Sequence, residues 1–203
     1  MMPILARFRG RYEEVTLPLG RLCVQLGLTP NTLSLCSLVL GALAGYTIGR
    51  GSFWLAIGVI ALVGLTDVAD GATARASGTA SPFGTVLDHT VDRYVELFVV
   101  LGMVWSGAVD GRWALFSFAG MIMASYVRAR AESTGRIPSA NVGLAGRQEK
   151  IGLLLLGLLL QPIFPTARPL EWATIAVGVI SHLTAGQRLL FARRALVGGS
   201  GDA

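Results

Sequence analysis

The chain has 203 residues, of which 53% are hydrophobic and 14% charged, and its mean hydropathy is +0.61. These proportions exclude an ordinary soluble domain and point to an all-α integral membrane protein. The net charge of +5 is spread over short loops and helix ends, which favours a face against anionic lipid over a nucleic-acid partner.

Residues 1–28 interleave Arg7, Arg9, Arg11 and Arg21 with apolar side chains such as Leu5, Phe8, Val15, Leu22 and Leu26. The stretch is too charged to span a bilayer and lacks the unbroken apolar core of a signal peptide, so it reads as an amphipathic helix lying in the interface. The run Leu28-Thr29-Pro30-Asn31-Thr32 supplies a break, with Pro30 ending the preceding helix and Asn31 or Thr32 as the N-cap of the next. Residues 29–194 then form one bundle of six transmembrane helices, over 32–49, 52–75, 83–107, 112–131, 148–163 and 170–191, each near the length a bilayer requires. Residues 195–203 are a short tail, disordered over its last six positions.

With both termini on the cytoplasmic side of the cell membrane, only Arg50, Arg112 and Arg168 of the 17 basic residues fall on the far face, as the positive-inside bias requires. Trp54, Trp105, Trp113 and Trp172 all fall at span ends assigned to the outer interface, where their amphipathic rings prefer to sit. Gly41, Gly45 and Gly49 form a small-residue face on the first span, read as packing within one subunit rather than a dimer seam. Cys23 and Cys36 belong to no metal or redox motif and read as reduced packing residues.

Four of the six aspartates, Asp67, Asp70, Asp88 and Asp92, lie within 26 residues at the junction of the second and third spans. At 1.5 Å per residue, Asp67 sits about 22 Å from the outer end of its helix and Asp92 about 20 Å from the outer end of the next, so all four converge below the inner headgroups. The i,i+3 and i,i+4 spacings put each pair on one side of its helix. Unpaired carboxylates at that depth would be costly, and hard divalent cations remove the cost: four aspartates suit two Mg²⁺ or Mn²⁺ ions about 3.5–4 Å apart, as used in phosphoryl chemistry. Gly71, Ala74 and Gly84 leave room for a ligand against the backbone, and Arg75 is placed to contact a phosphate or base.

The pattern D-x2-D-G-x2-A-R-x8-G-x3-D-x3-D, filled by Asp67, Asp70, Gly71, Ala74, Arg75, Gly84, Asp88 and Asp92, resembles the signature of the CDP-alcohol phosphotransferases, and every fixed position matches. The resemblance implies a homodimeric membrane enzyme that transfers the phosphatidyl or archaetidyl group of a CDP-linked lipid to a small polar alcohol and releases CMP. By that similarity Asp67, Asp70 and Asp88 bind metal, while Asp92 is both close to the metals and the base that deprotonates the acceptor. Gly71, Ala74, Arg75 and Gly84 would line the CDP site, and Asn31 and Ser34, in a family-like Pro-Asn-x-Leu-Ser segment, would reach the nucleotide or its phosphates.

Arg128 and Arg130 end the fourth span, Arg147 and Lys150 open the fifth, and Arg188 closes the sixth, so cations gather at one membrane face and suit an anionic acceptor. The surrounding pattern is similar to the phosphatidylinositol-phosphate and archaetidylinositol-phosphate synthase branch, which implies inositol 1-phosphate as acceptor and Arg128, Arg130, Arg147 and Arg188 as its phosphate contacts. Glycerol 3-phosphate or serine is the alternative within the class. Outside it stands a divalent-cation transporter, which the position of the aspartates near one face disfavours. Arg193 and Arg194 read as membrane anchors, His89 as a packing residue and His182 as without a role.

Overall fold

The computed structural model describes residues 9–197, with side chains from residue 15 onward. The first eight residues of the expected interfacial helix and the expected disordered tail 198–203 lie outside the described residues. The described chain is helical, with seven α-helices, one 3₁₀ turn and no strand. It divides into two compact units, one up to Ala108 and one from Val109 onward.

The first unit holds α1 (Arg9–Gln25), α2 (Pro30–Gly49), α3 (Phe53–Ser77) and α4 (Pro82–Trp105). In it α2 packs on both α3 and α4, and α1 packs on α3. The start of α2 differs from expectation by two residues: the cap is Thr29, whose Oγ1 accepts from Thr32 N at 3.2 Å, and Pro30 opens the helix. Proline is suited to that first position, where its missing N–H has no partner to lose. Ser81 and Pro82 repeat the device at α4, with Ser81 Oγ accepting from Gly84 N at 3.0 Å. Between α3 and α4 the chain turns at Gly78, in the left-handed region at φ 65°, so the two aspartate-bearing helices are joined by only Gly78–Ser81.

The glycine face of α2 packs inside this unit. A Cβ on Gly41 would lie 2.6 Å from Val95 Cγ2, one on Gly45 would strike the Phe98 carbonyl, and one on Gly102 would strike the carbonyl of Gly45 itself. Thus α2 and α4 meet backbone on backbone, as small-residue faces permit.

The second unit holds α5 (Gly111–Glu132), α6 (Arg147–Leu160), a 3₁₀ turn at Pro165–Ala167 and α7 (Pro169–Val197), with α7 packed on α5 and α6. Helix α7 runs through 195–197, positions expected in the tail. Its N-terminal end is bound to the start of α5 where the Asp110 N–H donates to Glu171 Oε2 at 2.8 Å. The Asp110 carboxylate caps α5, and hydrogen bonds from the Arg112 side chain and backbone N–H hold it at a pKa of about 2.

Among the described residues, three stretches, α2, α3 and Pro165–Val197, are long and apolar enough to cross a membrane. Apolar side chains face outward all along the chain, among them Val39, Leu55, Leu65, Leu101, Leu115 and Leu189. Outward-facing leucine and valine at this density suit lipid rather than water, and the protein is a membrane protein.

Candidate metal and nucleotide site

Asp67 and Asp70 lie on α3, Asp88 and Asp92 on α4. Asp67, Asp88 and Asp92 each offer a carboxylate oxygen within 4.8 Å of the others. Asp92 is buried, and Asp67 and Asp88 are partly so. The expected two matched pairs therefore resolve into a group of three and a fourth member held differently. Asp70 is buried and accepts a 2.9 Å hydrogen bond from Ser34 Oγ on α2. One turn further along, Ser37 Oγ and Thr66 Oγ1 are 2.6 Å apart, a second polar rung between α2 and α3. Ser34, expected near the nucleotide, thus directs its hydroxyl to a carboxylate.

The donor set fits a hard divalent cation. Converging carboxylate oxygens without histidine or thiolate are the ligands that Mg²⁺ and Mn²⁺ prefer, and a cation offsets the repulsion among three close carboxylates. Arg93, a nearby cation on α4, pairs with Glu96 at 2.7 Å.

The small residues of the motif hold two different positions. A Cβ on Gly84 would lie 3.5 Å from Asn31 Oδ1, so the first turns of α2 and α4 meet with the Asn31 side chain beside Gly84. A Cβ on Gly71 would lie 3.3 Å from Nη1 of Arg75, which places the Arg75 guanidinium back over the preceding turn of its own helix. Nη2 of the same guanidinium donates to Thr16 Oγ1 on α1 at 3.1 Å. Ala74 is partly buried in the turn between them. Neither Thr16 nor its approach to α3 is legible from the motif.

The second unit carries the arginines expected to meet the acceptor. Arg188 is buried on α7, with Nη1 donating to the Ala124 carbonyl at 2.7 Å and Nε to the Val142 carbonyl at 3.0 Å. Arg128 Nε donates to Glu132 Oε1 at 2.9 Å, and the same oxygen accepts from Ala140 N at 2.9 Å. Glu132 and Arg188 thereby tie the α5–α6 connection at two points, while Ile137 and Ala140 bury into a small core with Ala131 and Ala192. Arg147 is partly buried as the first residue of α6, Lys150 is buried one turn on, and Arg130 is exposed. The i,i+4 spacing of Arg128 and Glu132 is visible in the sequence, but the role of Glu132 in the α5–α6 connection is not, because Ala140 offers only a backbone N–H, which no side-chain pattern records. His182 stacks on Phe116 with ring centroids 4.6 Å apart and lies 3.1 Å from its carbonyl, a packing position.

The family model for CDP-alcohol phosphatidyltransferase matches residues 27–183. An archaetidylinositol phosphate synthase of Pyrococcus horikoshii is 30% identical over 193 residues, 95% of this chain and 98% of the relative. A phosphatidylinositol phosphate synthase of Mycobacteroides abscessus is 33% identical over 190 residues, 89% of this chain and 84% of the relative. The crystal structure of the Mycobacterium tuberculosis phosphatidylinositol phosphate synthase with CDP-DAG bound superposes with a TM-score of 0.78 at 27% identity, covering 89% of this chain and 94% of that one. That relative has also been solved in complex with manganese and citrate. With the family model spanning most of its length and relatives aligned nearly end to end, this chain belongs to the CDP-alcohol phosphatidyltransferase family.

Proposed function

We propose that the protein transfers the phosphatidyl or archaetidyl group of a CDP-linked lipid to inositol 1-phosphate and releases CMP. The observation that carries this reading is the convergence of Asp67, Asp88 and Asp92 within 4.8 Å in a chain whose relatives include inositol-phosphate lipid synthases. Divalent cations held by Asp67, Asp70, Asp88 and Asp92 would neutralise the diphosphate and the charge on departing CMP. Asp92, buried and beside the other carboxylates, takes the proton of the acceptor hydroxyl. The hydroxyl oxygen forms its bond to the lipid-side phosphorus as the bond from that phosphorus to the CMP oxygen breaks. Arg75, Asn31, Ala74, Gly71 and Gly84 bind and orient the nucleotide.

Arg128, Arg130, Arg147 and Arg188 hold the acceptor's phosphate in this reading, in keeping with the liking of guanidinium for phosphate oxygens. Helices α2 to α7 are the six spans, α1 lies along the interface, and both termini and the site face the cytoplasm at the cell membrane. The functional unit is a homodimer that works with two Mg²⁺ or Mn²⁺ ions.

The test is a panel of acceptors with CDP-diacylglycerol or CDP-archaeol and Mn²⁺ or Mg²⁺, scored by CMP release. Inositol 1-phosphate should support turnover while free inositol does not. Turnover with glycerol 3-phosphate or serine alone would replace the acceptor, and no CMP release with any alcohol, together with Mn²⁺ flux in proteoliposomes, would replace the reaction.

A further inference from the structure

Helix α1 does more than lie on a surface. Thr16, Gly20 and Cys23 are buried at spacings of four and three residues, one face of the helix, while Val15, Leu22 and Val24 on other faces are exposed. The buried face docks on α3 so closely that a Cβ on Gly20 would strike the Ala72 carbonyl. Cys23 packs with Leu33 and Ala69 at the far end of the same contact. This docking brings the Thr16 hydroxyl to Arg75, where it accepts from Nη2 at 3.1 Å.

Arg75 needs such a partner. Its side chain is exposed and has four rotatable bonds, so an untethered guanidinium samples many directions and loses entropy when a ligand fixes it. Two features narrow that freedom: Gly71, lacking a Cβ, leaves space for Nη1, and Thr16 takes one hydrogen of Nη2. The remaining guanidinium donors keep the fixed fork that matches phosphate or base acceptors.

We propose that Thr16 is a positioning residue for the nucleotide site, and that docked α1 acts through Arg75 to raise affinity for the CDP moiety. The proposal rests on the reading of Arg75 as a nucleotide contact. Its test measures binding of CDP alone to the purified full-length protein with Mn²⁺, which is independent of the acceptor. Thr16→Val removes the acceptor oxygen at nearly constant volume and should weaken CDP about tenfold, the order of one hydrogen bond to a charged group. Thr16→Ser retains the hydroxyl and should bind within about twofold of the parent. Combined with Arg75→Gln, Thr16→Val should add nothing, because the two act through one contact.

Parent-like CDP binding by Thr16→Val, or additive losses in the double variant, overturns the proposal while leaving Arg75 as a nucleotide contact. Parent-like binding by Arg75→Gln overturns the reading of Arg75 and the proposal with it. Thr16→Ala provides the same comparison if the valine variant fails to fold.

Discussion

Ser34 on α2 and Asp70 on α3 are joined by a 2.9 Å hydrogen bond between buried side chains. A donor helps a carboxylate among other carboxylates keep its orientation, and the Ser34 hydroxyl is one such donor to Asp70. With Asp70 as a metal ligand, as proposed, Ser34→Ala should raise the Mn²⁺ concentration giving half-maximal CMP release about tenfold, in line with the loss of a hydrogen bond to such a ligand. A metal titration at saturating substrates measures it, and an unchanged midpoint would make the bond merely structural.

In the proposed mechanism Asp92 is the base, and Asp92→Asn removes it while preserving shape. Turnover should fall at least about a hundredfold, the usual contribution of general-base catalysis, with elution on size exclusion unchanged. Near-parent CMP release at saturating Mn²⁺ would refute the assignment.

Glu132 receives both Arg128 and the Ala140 N–H. Glu132→Ala frees both, so the α5–α6 connection should loosen at a cost of about 1–3 kcal/mol. The acceptor KM should rise more than that of the CDP-lipid. Thermal unfolding in detergent and the two KM values test it, and equal rises in both would remove the link to the acceptor.

The Gly102–Gly45 contact leaves no space for a side chain. Gly102→Ala should destabilise the first unit by about 1–3 kcal/mol, because the obstacle is a backbone carbonyl that cannot rotate away. Gly58→Ala, where an added Cβ would meet no other part of the protein within 4 Å beyond its own helix turn, is the control and should leave stability within about 0.5 kcal/mol. Equal melting temperatures for the two variants would contradict the close approach.

The aspartate cluster was legible because helical spacing is a regular property of backbone conformation. Once Asp88 and Asp92 lie on one helix, i,i+4 geometry puts them together, and the short link through Gly78 brings them to Asp67. What spacing does not encode is the partner of a given face. Nothing in the amphipathic pattern of residues 1–28 singles out Thr16 and Gly20, since a face docked on protein and a face turned to headgroups have similar composition. Gly71 reads in the sequence as room for a ligand, and spacing alone does not show that the Arg75 guanidinium lies beside its missing Cβ. The first cap shifted to Thr29 because Thr29, Asn31 and Thr32 all carry suitable side chains, and the choice falls to the residue before the proline that opens the helix.

Where α2 and α4 touch through peptide groups instead of side chains, no rotamer change can absorb a slip along the helix axes. A bilayer thinner or thicker than ideal is met by tilting, and these two helices would tilt as a pair. The separation of Asp88 and Asp92 from the Ser34 end of α2 then survives changes of membrane thickness that would deform a looser bundle. For an enzyme whose product becomes part of its own solvent, such a seam would hold the aspartate cluster steady against the composition it alters.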